Sequence, residues 1–134
     1  MSIDYGTKRV GVAVTDPLQI IANGLDTVAT VDIFVFLKKY FEEEEVEEMV
    51  IGYPRHLDGN PGQIAPQVEK FAKKVKEQFS HLNVAFQDER FTSVDAKRII
   101  LESGAKKKKR RDKSLVDKVS AILILQEYME SKRF

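Results

Sequence analysis

The opening segment of the chain constrains its fold more than any other. Residues 9–15 read Arg-Val-Gly-Val-Ala-Val-Thr, a β-rich run, and Gly6 ahead of them is typical of a tight turn. The pattern predicts a hairpin whose first strand, from Ser2 to Tyr5, carries the acidic residue Asp4. A glycine beside this carboxylate lets another backbone or a phosphate approach closely. The simplest alternative is an ordinary hairpin with a turn-stabilising aspartate.

The rest of the sequence alternates between strand and helix patterns. Short β-rich runs predict further strands at 25–30, 49–51 and 83–87. Apolar residues at helical spacing predict helices over 31–44 and 62–80, from 92 or 93 to Gly104, and from Ser114 onward. The order β-β-β-α-β-α-β-α-α predicts a single α/β domain over residues 1–134, a five-stranded mixed sheet with helices on both faces.

Composition excludes several classes of site. With 134 residues, of which 43% are hydrophobic, the chain can bury one core without disulfides. Cysteine is absent, so a thiolate nucleophile and a sulfur-ligated metal are excluded, and neither His56 nor His81 has the spacing of a zinc site. No apolar run approaches the roughly 18 residues that a membrane span needs. We therefore expect a soluble, cytoplasmic protein without a membrane partner.

The formal net charge of +1 conceals a strong segregation of charge. Residues 42–48 are almost continuously acidic, whereas a second run is entirely basic and consists of Lys106, Lys107, Lys108, Lys109, Arg110 and Arg111. Such a basic run can bind a nucleic-acid backbone through counterion release without reading its sequence. A solvated, disordered loop is the equally weighted alternative.

Two more carboxylates, Glu89 and Asp117, lie at positions that suit a catalytic or metal-binding role. Glu89 follows the apolar strand at 83–87, at the sheet edge where the carboxyl ends of parallel strands meet, although acids there often only cap helices or pair with arginines. Asp117 lies in the apolar start of the last helix, where a carboxylate is costly unless a partner or cation compensates it. The spacing from Ser114 to Asp117 also fits a capping box with no catalytic role.

Clustered together, these three acids would suit a hard divalent cation, Mg²⁺ or Mn²⁺. Such ions prefer carboxylates and water, and a pair about 4 Å apart can stabilise the attacking and leaving oxygens of a phosphodiester. The segment Asp4-Tyr5-Gly6-Thr7 also fits the phosphate hairpin of an actin-like ATPase or sugar kinase. That architecture needs a second hairpin and a second lobe, for which this chain has no room, so the nuclease interpretation is favoured.

Four segments in order, 2–16, 50–59, 88–93 and 113–126, resemble the YqgF family of Holliday-junction-resolvase-like pre-16S rRNA nucleases. The resemblance implies a ribonuclease H-like fold, and it identifies the family's three acidic positions as Asp4, Glu89 and Asp117, the expected catalytic residues and ligands of Mg²⁺ or Mn²⁺.

The same resemblance implies lesser roles for other residues. Lys8 and Arg9 are expected to approach nucleic-acid phosphates, Arg90 and Thr92 to shape the active site, and the 52–62 loop to border the cleft. It implies a substrate of structured RNA, such as pre-16S rRNA, or of branched DNA, bound by a monomer or weak homodimer. A non-catalytic factor that binds nucleic acid or the ribosome is the alternative from another functional class.

Overall fold

Five strands and four helices make up the described part of the chain. The computed structural model describes residues 1–16, 18, 21–55, 62–88, 92–102 and 113–132, without the side chains of 92–94. The strands are β1 (Ser2–Tyr5), β2 (Arg9–Thr15), β3 (Ala22–Ala29), β4 (Glu48–Tyr53) and β5 (Asn83–Asp88). The helices are α1 (Ile33–Glu43), α2 (Ala65–Gln78), α3 (Thr92–Glu102) and α4 (Lys113–Lys132). None of these helices has the length and apolar character needed to cross a membrane.

The strands form one mixed sheet in the order β3-β2-β1-β4-β5. The first three strands are antiparallel neighbours, while β1, β4 and β5 run parallel to one another. Parallel strands need a crossover, and here α1 and α2 precede β4 and β5 respectively. The predicted five-stranded mixed α/β sheet is confirmed, with β1 at its centre.

One face of the sheet carries large apolar side chains and packs against α1 and α2. Side chains alternate between the two faces of a strand, so residues at every second position share this face. The main core cluster combines strand residues with residues of both helices: Ile3, Val10, Val12, Met49, Ile51, Ile33, Leu37, Val68, Phe71 and Val75, all at most 3% exposed. This burial supplies the main driving force for folding.

The opposite face carries small residues and packs against α4. Ser2 and Ala13 are completely buried there, and Gly11 and Gly24 approach the helix closely. Ala121, Ile124 and Leu125 of α4 complete a second apolar cluster on this side, and α3 contacts α4 in turn. Helices therefore cover both faces, as predicted.

Several predicted boundaries move because tertiary pairing overrides local preference. Strand β3 begins at Ala22 rather than at residue 25, because it pairs with β2 along its whole length, from Ala22 opposite Thr15 to Ala29 opposite Arg9. Helix α1 begins at Ile33, after a 3-10 turn at Thr30–Asp32. Helix α2 is shorter than predicted at both ends.

Candidate active site

Asp4 lies on the central strand and on the sheet face that α4 covers. The Oγ of Ser2 donates a hydrogen bond of 2.6 Å to the carbonyl of Ala121 in α4. Asp4 is two residues further along β1, so its side chain leaves the strand on the same side. Tyr5 leaves on the other side, where its ring stacks on Phe71 with centroids 4.7 Å apart.

Gly11 brings α4 down onto the sheet beside Asp4. Gly11 pairs directly with Asp4 across the β1–β2 ladder. A Cβ atom at Gly11 would lie 2.2 Å from the backbone oxygen of Asp117 and 2.7 Å from its carbonyl carbon. The backbone of Asp117 therefore rests on the residue opposite Asp4. Residues near the two ends of the sequence, Asp4 and Asp117, are thus brought to one place.

Asp117 is held by an arginine from the neighbouring strand. The Nε of Arg9 donates a hydrogen bond to Oδ2 of Asp117 over 2.8 Å, and the side chains are 37% and 23% exposed. The carboxylate is therefore partly buried and charge-paired while remaining open to solvent. The capping-box interpretation is wrong, because α4 begins at Lys113 and Ser114 already lies inside the helix. The carbonyl of Ser114 accepts a hydrogen bond from the hydroxyl of Thr27.

The remaining predicted residues are only partly covered by the described structure. Lys8 is exposed in the turn between β1 and β2, where its carbonyl accepts a hydrogen bond from the backbone of Thr30. Helix α3 begins at Thr92. Three predictions lie outside the described residues and side chains: Glu89 and Arg90, the side chain of Thr92, and the basic run at 106–111.

Glu89 directly follows the last residue of β5 in the sequence. β5 ends at Asp88, which pairs in parallel register with Tyr53, the last residue of β4. Because β1, β4 and β5 are parallel, their carboxyl ends lie along one edge of the sheet, where ligands of α/β proteins tend to bind. Among the described residues, no group of three potential metal ligands forms a cluster.

Two features of the site were not found by sequence reasoning. The first is the contact between Gly11 and Asp117, and the second is the ion pair between Arg9 and Asp117. The available signal for the first was the run of small residues at alternating positions, Gly11 and Ala13 on β2 with Ser2 on β1, which is typical of a surface that another backbone approaches.

Comparisons with known proteins identify the family of this chain. The model of the family described as RuvX, Holliday junction resolvase, matches residues 1–131. A protein of Bacteroides thetaiotaomicron named "Putative pre-16S rRNA nuclease" is 48% identical over 134 residues, covering 100% of this chain and 97% of that protein.

Two relatives with the same name come from other bacteria. The protein of Porphyromonas gingivalis is 47% identical over 131 residues, covering 98% of this chain and 95% of its own length. The protein of Flavobacterium psychrophilum is 46% identical over 132 residues, with 98% and 96% covered. Since the family model and the relatives all match nearly the whole chain, the protein belongs to the RuvX family of Holliday junction resolvases, as the YqgF resemblance predicted.

Proposed function

We propose that this protein is a divalent-metal-dependent nuclease that hydrolyses phosphodiester bonds in the maturation of pre-16S rRNA. The observation that carries the proposal is the seating of α4 on Gly11, which brings Asp117 to the strand residue paired with Asp4. Two carboxylates from distant parts of the sequence are thereby gathered at one partly open position. Family membership and the names of the relatives support the reaction class.

The donor chemistry of the site fits Mg²⁺ or Mn²⁺. The oxygen atoms of Asp4 and Asp117 are hard ligands, which both ions prefer. Arg9 engages Oδ2 of Asp117, and within the described structure Oδ1 of that carboxylate takes no hydrogen bond. We propose Glu89, which directly follows β5, as the third ligand. When bound, a divalent cation lowers the pKa of water and neutralises charge that develops on the phosphate.

The residues of the chain have separate tasks in this proposal. Asp4, Glu89 and Asp117 would hold the cation, and its charge would offset the mutual repulsion of the three carboxylates. Arg9 begins β2 and pairs with Asp117, and Lys8 precedes it in the exposed turn. Cationic side chains there can contact the phosphates that flank the cleaved bond. Arg90, Thr92 and the basic residues 106–111 would extend this surface and add affinity that falls with salt.

The names of the relatives and of the family suggest two substrates. The relatives are named for pre-16S rRNA, and the family is described by the Holliday junction, a four-way DNA structure. We place rRNA first because full-length relatives at 46–48% identity carry that name. On ribosomal precursors we propose that the protein acts in the cytoplasm as a monomer. A junction would favour a weak homodimer, because paired cuts need paired sites.

The proposal is tested by cleavage of labelled pre-16S rRNA and of a labelled four-way DNA junction, each with Mn²⁺ or with EDTA. We expect the native protein to cut the rRNA only with metal and Asp4→Asn to lose cutting while retaining binding. Asp26→Asn is the matched control, because Asp26 is an exposed strand aspartate on β3, which pairs with β2 and not with the strand of Asp4. This variant should cut normally. Binding without cutting by the native protein would instead support a non-catalytic factor.

A further inference from the structure

The contact between Arg9 and Asp117 involves a single nitrogen of the guanidinium group. It is Nε, the nitrogen within the side chain, that reaches Oδ2 at 2.8 Å. In the described structure Arg9 makes no other hydrogen bond or ion pair, so its two terminal Nη groups remain available. A guanidinium has five N–H donors in a planar fork, so one group can hold a carboxylate and a phosphate at once.

We propose that Arg9 is a positioning residue for Asp117: its Nε–H fixes Oδ2, so that Oδ1 faces the cation while the Nη groups face the substrate phosphate. This inference rests on the proposed function and adds to it. A residue that only attracts phosphates would not need to contact an acidic residue of the site.

The backbone on both sides of this ion pair is firmly placed. Arg9 begins β2 and pairs with Ala29 of β3, while the backbone of Asp117 rests on Gly11 of the same strand. With both backbones fixed, a single 2.8 Å hydrogen bond is enough to select one orientation of the Asp117 carboxylate. Groups that hydrogen-bond a metal-binding carboxylate characteristically act in this way.

Stability alone does not account for the pair. With the side chains of Arg9 and Asp117 37% and 23% exposed, the attraction is weakened by solvent, and pairs of this kind contribute little to folding. The value of the contact therefore lies in orientation. Arg9 also places a positive charge beside Asp117, which reduces the repulsion between that carboxylate and Asp4 before a cation binds.

The informative substitution is Arg9→Lys, because lysine retains the positive charge but has carbon where arginine has Nε. The first measurement is the affinity of the nucleic-acid-free protein for Mn²⁺. Binding is monitored by the loss of the electron paramagnetic resonance signal of free Mn²⁺. We expect Arg9→Lys to weaken Mn²⁺ binding about tenfold, which is the lower end of the range for residues that hydrogen-bond a metal ligand. Lys8→Gln, which removes the adjacent charge without touching Asp117, should weaken DNA and RNA binding and leave Mn²⁺ affinity within about twofold.

Unchanged Mn²⁺ affinity in Arg9→Lys would overturn the positioning role and leave Arg9 a simple phosphate contact. A second measurement needs neither metal nor cleavage: the Hε proton of Arg9, observed by NMR, should be slow to exchange in the native protein and fast in Asp117→Ala, which has no acceptor for it. Equal exchange in the two proteins would also overturn the proposal. If the native protein binds Mn²⁺ but never cuts, the proposed nuclease fails, whereas both tests of Arg9 remain decisive.

Discussion

Replacing Gly11 with alanine should disturb the site from within the sheet. The added Cβ would lie 2.2 Å from the backbone oxygen of Asp117, whereas ordinary contact begins near 3.4 Å. Because the obstacle is backbone, the start of α4 must move away from β2 by about 1 Å. Overpacking of this kind costs about 1–3 kcal/mol of unfolding free energy. A displacement of about 1 Å in a catalytic group can lower its rate by on the order of 100-fold.

Gly24→Ala provides a matched control on the adjacent strand. Its Cβ would also meet α4, at 2.6 Å from Cγ and 2.8 Å from Cδ of Lys118 and 3.2 Å from Cδ1 of Ile122. These are side-chain atoms, which can shift without moving the helix backbone. Urea unfolding and Mn²⁺-dependent cleavage should therefore change strongly in Gly11→Ala and little in Gly24→Ala. If the two variants behave alike, or if Gly11→Ala keeps native stability and rate, close seating of α4 does not position Asp117.

Two further predictions concern stability. Burial tends to raise the pKa of Glu48, but hydrogen bonds from Tyr128 and Lys132 outweigh it and hold that pKa below its usual value. The contribution of ionised Glu48 to the free energy of unfolding is therefore fully present above its unfolded pKa of about 4.3, and it is lost as pH falls through the lower folded pKa. Glu48→Gln should destabilise the protein at pH 7. In urea titrations, the difference in unfolding free energy between this variant and the native protein should disappear in acid. Ser120 is 2% exposed, and its Oγ has no hydrogen-bond partner in the described structure. Ser120→Ala should therefore raise the unfolding free energy by about 1 kcal/mol in the same assay. A loss of stability would show that the hydroxyl has a hydrogen-bond partner.

Local sequence patterns predicted the elements of this fold well, because most elements have a clear period. The hairpin over β1 and β2 and the strands β4 and β5 follow from β-rich runs between turns. Phenylalanines at helical spacing lie in the core: Phe34, Phe36 and Phe79 are partly buried and Phe71 is 3% exposed. Helix α4 was also predicted, but its position on the small-residue face depends on contacts far apart in sequence.

The candidate site was less accessible to sequence reasoning, since its key contacts join distant residues. The residues alone identified Asp4 as a strand carboxylate and Asp117 as a costly acid in an apolar helix, while an isolated Ser114-x-x-Asp117 spacing also suggested a helix cap. Only the register between Asp4 and Gly11, together with the close approach of α4, shows that the two acids belong to one place. The role of Glu89 stays a prediction.

Two of the contacts that hold α4 lie near opposite ends of the helix, and this arrangement separates stability from the geometry of the site. Near its start the helix rests on Gly11, while near its end Tyr128 and Lys132 bind Glu48 at the beginning of β4. Weakening the contacts with Glu48 lowers the free energy of unfolding, but it leaves intact the contact with Gly11 that positions Asp117. Glu48→Gln should therefore lose stability without losing the cleavage rate of its folded fraction, whereas Gly11→Ala should lose both. Equal losses of rate in both variants would mean that the whole helix, rather than its seat on β2, orients the carboxylate.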